Sequence, residues 1–126
     1  METVGFNKSG GPITVTVTSG YAQPGGYIIK LKEKTGSKII SKTKGDFNSA
    51  PIPFNLPTPA SVNDGRRMQI VVTLMINPPT QYSIIVSVSQ DGKVLKPIPN
   101  EGNSSDNPEM IGVDIELSAE VANEGS

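Results

Sequence analysis

The chain predicts an antiparallel β-sandwich, and three observations carry that expectation. Apolar and polar residues alternate with a period of two along most of the sequence, as they do in strands that bury one face. No window shows the 3.6-residue period of a helix. Thirteen Gly and eleven Pro cut the alternating runs into short pieces separated by turns, which favours packed antiparallel sheets over a parallel α/β sheet.

Each run can be justified in order. In PITVTVTS, Ile13, Val15 and Val17 face one way and Thr14, Thr16 and Thr18 the other. GYIIKLKEKTGSKIISK reads as a hairpin in which Tyr27, Ile29 and Leu31 alternate with Ile28, Lys30 and Lys32, with Thr35-Gly36 at the turn. RRMQIVVTLMI puts Met68, Ile70, Val72, Leu74 and Ile76 on one face. QYSIIVSVSQDGKVLKPI is a second hairpin, because Asp91-Gly92 can take the positive φ angles of a type I′ turn. MIGVDIELSAEV sets Ile111, Val113, Ile115, Leu117, Ala119 and Val121 against Gly112, Asp114, Glu116, Ser118 and Glu120. About seven strands follow, in an immunoglobulin-like or related Greek-key sandwich, with a jelly roll or small barrel as the alternative.

At 126 residues the chain is expected to be one domain, with residues 1–9 and 122–126 mobile because they are polar and lack a strand pattern. Cysteine and histidine are both absent. Their absence removes disulfides, thiolate chemistry, Ser-His-Asp catalysis and His- or Cys-ligated metals. The remaining catalytic pattern is Asp114 with Glu116, two apart on one strand face, and a solvated face with Lys30, Lys32 or Lys42 as cross-strand partners explains it better. No enzyme is expected.

The net charge of −1 conceals an asymmetry. Through Asn63, seven Lys face three acidic residues, a net of +4; from Asp64 onward, four basic residues face nine acidic ones, a net of −5. The two halves are expected to lie side by side and compensate. The sharper alternative is an anion-binding patch at Lys30, Lys32, Lys34 and Lys38. Six aromatic residues and no Trp leave little to stack on bases, so no nucleic acid is expected. No run approaches a membrane helix or a signal-peptide core, so the chain reads as soluble, with an extracellular or cell-surface place slightly favoured.

Two segments interrupt the strands. Residues 43–66 carry Pro51, Pro53, Pro57 and Pro59 among the apolar Phe47, Ile52, Phe54 and Leu56, and are expected to fold over an end or edge of the sandwich. The alternative makes Phe47 and Phe54 a groove wall or an interface anchor. Residues 98–109, which include NEGNSSDNPE, offer Glu101, Asp106 and Glu109 as calcium ligands, joined by Asp64 if the loops at 63–66 and 98–109 share one end. A solvated connection is the plainer reading, so no resident cofactor is expected and calcium is the one candidate ion. Asn103-Ser104-Ser105 matches a glycosylation acceptor, and Tyr21, in SGYAQPGGY, could stack on a sugar.

Finally, Ile28, Ile40, Val71, Met75 and Ile85 fall on outward positions of their strands. A shared patch of these residues implies a protein partner or self-association. The leading expectation is thus a non-catalytic sandwich module acting by protein contact, with Phe47, Phe54, Val71, Met75 and Ile85 as contact residues. The runner-up binds calcium, a glycan or an anionic surface such as a membrane.

Overall fold

In a computed structural model of the protein, which describes residues 2–21, 24–47, 51–75, 80–103 and 108–120, the alternation becomes burial. Ile13, Val15 and Val17 are buried, as are Tyr27, Ile29 and Leu31, Met68 to Leu74 at every second residue, and Ile111, Val113, Ile115 and Leu117. Each such side chain contributes about 1.5–3 kcal/mol of burial free energy, and together they fill the space between two sheets.

Nine strands form among the described residues: β1 (Glu2–Asn7), β2 (Ile13–Ser19), β3 (Gly25–Lys32), β4 (Ile39–Asp46), β5 (Phe54–Asn55), β6 (Arg67–Leu74), β7 (Gln81–Gln90), β8 (Lys93–Asn103) and β9 (Glu109–Glu120). One sheet has the order β1-β9-β6-β3-β4 and the other β5-β2-β7-β8. All pairs are antiparallel except β1 with β9. Only β3–β4 and β7–β8 are neighbours in both chain and sheet; every other connection crosses between the sheets.

The two hairpins share their construction. Asp91 and Gly92 have φ of 54° and 77°, the double positive φ expected of the β7–β8 turn. Each outer strand, β4 and β8, carries a bulge, and the extra residue, Ile40 or Leu95, packs against the core. Ile40 therefore leaves the outward set to which simple alternation assigns it. Each outer strand also carries a glycine covered by the aromatic ring paired with it: Tyr27 lies over Gly45 and Tyr82 over Gly102. Pro97 and Pro99 fit β8 because an edge strand tolerates missing N–H donors.

Three segments differ from the sequence reading. Residues 2–7, for which no strand is expected, form β1, with Val4 and Phe6 buried. The 43–66 segment starts later than expected, since β4 runs to Asp46; within it, Phe54 and Asn55 pair with Val15 and Thr14 at the edge of β2. Leu56 and Ala60 are buried, whereas Ile52 is 71 % exposed. A short 3₁₀ turn, Ala60–Asn63, ends this segment. Asn63 is fully buried and satisfied: its Nδ2 donates to Pro57 O (2.9 Å) and its Oδ1 accepts from Arg66 (3.2 Å). The third difference is the 98–109 interruption, most of which is strand, because β8 extends to Asn103 and β9 begins at Glu109.

Candidate functional site

The register assigns each side chain to an end and a face. The C-terminal ends of β2, β4, β6 and β8 lie at one end of the sandwich, and those of β1, β3, β5 and β7 at the other. This separates the calcium candidates. Glu101 and Glu109 belong to the first end, while Asp64, at the second, accepts a hydrogen bond from the Ala119 backbone N–H (2.9 Å). Glu109 and Ala119 are ten residues apart on β9, a span of roughly 33 Å. Asp106 lies outside the described residues, as do Ser104 and Ser105 of the glycosylation triplet; Asn103 is exposed at the end of β8. Among the described residues, no three acidic side chains gather closely enough to hold a metal ion, and no helix is long and apolar enough to cross a membrane.

The polar residues of the second end serve the fold. Gln90 is buried at its rim, donating to Asn7 O (2.8 Å) and Gly11 O (2.9 Å) and accepting from the Asn7 N–H (2.9 Å). It thereby ties the β1–β2 turn to β7. Across the edges of the two sheets, the exposed Lys96 of β8 reaches Glu2 of β1 (2.9 Å). The hydrogen bond and the charge of Lys96 hold the Glu2 carboxyl below its ordinary value of 4.5.

The first end holds a groove of about 380 Å³ between Tyr21, Asp46, Phe47 and Pro51. Tyr21 is 46 % exposed, and its hydroxyl donates to Gln81 (3.4 Å). Phe47 has two roles, lining this groove while its ring lies 5.7 Å from that of Tyr27. Burial, with the charge of Asp46, pushes the Tyr27 hydroxyl above its ordinary value of 10.0. Phe54 is partly buried against the core and does not line this groove.

The outward residues divide between two faces. On the five-stranded sheet, Ile28 pairs directly with Val71, and Val71 with Gly112; in the next row Gly26 pairs with Thr73, and Thr73 with Met110. Met75 follows at the same end and is 53 % exposed, Met110 is 58 % exposed and Ile28 43 %. Ile85 belongs to the four-stranded sheet, on the opposite side of the molecule, so the five outward residues do not form one patch. Met110 is the member that sequence reasoning missed, although the same alternation places it with Gly112 and Asp114.

The four lysines of the expected anion patch have different surroundings. Lys30, Lys42 and Lys44 border a groove of about 380 Å³ beside Ile28. Lys32 donates to Gln69 on β6 (3.0 Å), and Lys34 and Lys38 sit in the β3–β4 turn, Lys34 lying close to Gly65. Asp114 and Glu116 are exposed on the same face, but β6 stands between them and β3, so their direct cross-strand neighbours are Gln69 and Arg67. Arg67 turns to the β3–β4 turn, donating to the carbonyls of Glu33 (3.2 Å) and Gly36. On this face the charges of the two halves are separated rather than adjacent, basic on β3 and β4 and acidic on β9.

The outer face of the four-stranded sheet has another character. Its rows run Asn55-Thr14-Ser89-Val94, Thr16-Ser87-Pro97 and Thr18-Ile85-Pro99, with Glu101 beyond them as its carboxylate. No family model matches the chain, and no match is found among curated proteins or solved structures.

Proposed function

We propose that the chain is a non-catalytic β-sandwich module that works by protein contact, as a surface, adhesive or assembly component. The observation that carries this reading is the outer face of the five-stranded sheet. There, Ile28, Val71, Met110 and Met75 lie together at one end, bordered by Lys30, Lys42 and Lys44. Clustered exposed apolar groups rimmed by charge mark contact surfaces. Nothing lies within 4 Å of where a Cβ on Gly112 would stand, which gives a partner room to approach beside Val71.

A photo-cross-linking residue at position 71, compared with one at position 87, tests the proposal in the cells that make the protein. Covalent protein adducts from position 71 are expected. Adducts from neither face contradict a contact role.

A second reading rests on the groove bordered by Lys30, Lys42 and Lys44, which suits an anionic surface. It predicts retention on acidic vesicles at low ionic strength that Lys42→Glu abolishes. No retention at low salt removes it.

A further inference from the structure

Across β3, β6 and β9 the register sets four parallel rows on the outer face: Gly26-Thr73-Met110, Ile28-Val71-Gly112, Lys30-Gln69-Asp114 and Lys32-Arg67-Glu116. In every row the two outer members are complementary. A bare glycine stands opposite a protruding methionine, an isoleucine opposite a bare glycine, and a lysine opposite a carboxylate twice. The β6 residue sits midway, about 4.8 Å from each neighbour.

We infer that the partner of this face is a second copy of the chain, docked face to face about a two-fold axis along β6. This deepens the contact reading and rests on it. A half-turn about an in-plane axis exchanges left for right while keeping each row at its own height. It therefore lays β3 of one copy over β9 of the other, as an isologous interface requires. Met110 then covers the partner's Gly26, Ile28 covers the partner's Gly112, and Lys30 and Lys32 meet the partner's Asp114 and the partner's Glu116. Each contact occurs twice.

Local detail fits this arrangement. Nothing lies within 4 Å of where a Cβ on Gly112 would stand, so the position can receive Ile28. At Gly26 the backbone oxygen of Gly45 lies 2.7 Å from where a Cβ would stand, so the partner's Met110 would rest there on β4 backbone rather than in a hollow. Met110 leans over the axis strand, its sulfur accepting from the Thr73 hydroxyl (3.1 Å). The like-charged group on the axis, Arg67, is held off it by the carbonyls of the β3–β4 turn. Two twisted sheets facing each other this way keep their strands within about 30°, the usual aligned packing.

The test is sedimentation of the full chain from micromolar to millimolar concentration, for the wild type, Lys30→Glu and Asp114→Lys. Both substitutions are on an outer face, and thermal unfolding verifies that each variant folds. The wild type should dimerise. Each single substitution creates two like-charge pairs per dimer and should raise the dissociation constant about a hundredfold, roughly tenfold per pair. An equimolar mixture of the two variants should recover the dimer, because a heterodimer restores opposite charge at both contacts. A monomeric wild type overturns the inference, as does a dimer unmoved by either substitution or a mixture that fails to recover. In the second case the molecule associates through another surface and the contact reading stands. Cross-linked adducts to a different protein likewise preserve that reading, whereas a monomer without any adduct ends both.

Discussion

The two outer faces of the sandwich rest on matching inner faces and differ in what they show to water. Beneath the five-stranded face lie Ile29, Leu31, Ile70, Val72, Val113 and Ile115; beneath the four-stranded face lie Ile13, Val15, Val17, Ile84, Val86 and Val88. Above them, one sheet presents lysines, acidic residues and a group of exposed apolar side chains, and the other presents threonines and serines with Ile85, the exposed Val94 and two prolines. Period-two alternation constrains the inward half of each strand tightly and the outward half hardly at all, since any residue that tolerates water satisfies it. The outward half is therefore where the two sheets are free to diverge, and the proposed contact surface lies on the five-stranded face.

The largest effects should come from the inner faces and should be similar in both sheets. Ile70→Ala and Ile84→Ala each remove a fully buried side chain and should each cost about 2–5 kcal/mol in urea unfolding. A near-zero value for one of them would show that its sheet does not share the core. Next come the glycines of the outer strands. A Cβ at Gly45 would stand 2.5 Å from the Tyr27 hydroxyl and one at Gly102 2.8 Å from that of Tyr82, so Gly45→Val and Gly102→Val should each cost about 1–3 kcal/mol. Equal losses would extend the likeness between the two hairpins to their energetics.

A pH dependence sharpens the same comparison. Burial and Asp46 raise the Tyr27 hydroxyl above 10.0, so the folded state favours the protonated phenol. Its stabilisation is fully present below 10.0 and is lost as pH rises through the higher folded value. Tyr27→Phe should flatten the fall in unfolding midpoint on the alkaline side of pH 10, and an unchanged fall would assign it to other groups. The smallest effects on stability belong to the outer faces. Val71→Lys and Ser87→Lys should each stay within about 0.5 kcal/mol of the wild type, which makes them clean probes of contact.

What the sequence made legible follows from locality. Both hairpins could be read because their strands and turns are contiguous, as with Asp91-Gly92 between two alternating runs. The β3–β6, β6–β9, β2–β7 and β1–β9 pairings join distant segments, and no short-range signal encodes them. β1 escaped notice because Gly5 separates its only two apolar residues, Val4 and Phe6, in a polar surrounding. Simple alternation points Ile40 outward, but a bulge adds one residue and reverses the alternation there. The candidate patch was half legible: Ile28 and Val71 were on the outward set, but their adjacency, the separation of Ile85 onto the other sheet, and the row-by-row complementarity of β3 with β9 exist only once the register is known. The metal reading could not be judged from spacing either, since the same register sets Asp64 and Glu109 at opposite ends of β9.

The central claim is that association runs through the five-stranded face and spares the four-stranded one. Sedimentation of Val71→Lys beside Ser87→Lys and the wild type tests it most directly. The predicted result is a concentration-dependent mass for the wild type and Ser87→Lys and a monomer for Val71→Lys at every concentration. A monomer for Ser87→Lys with an unaltered Val71→Lys, or a wild type that stays monomeric throughout, would contradict it.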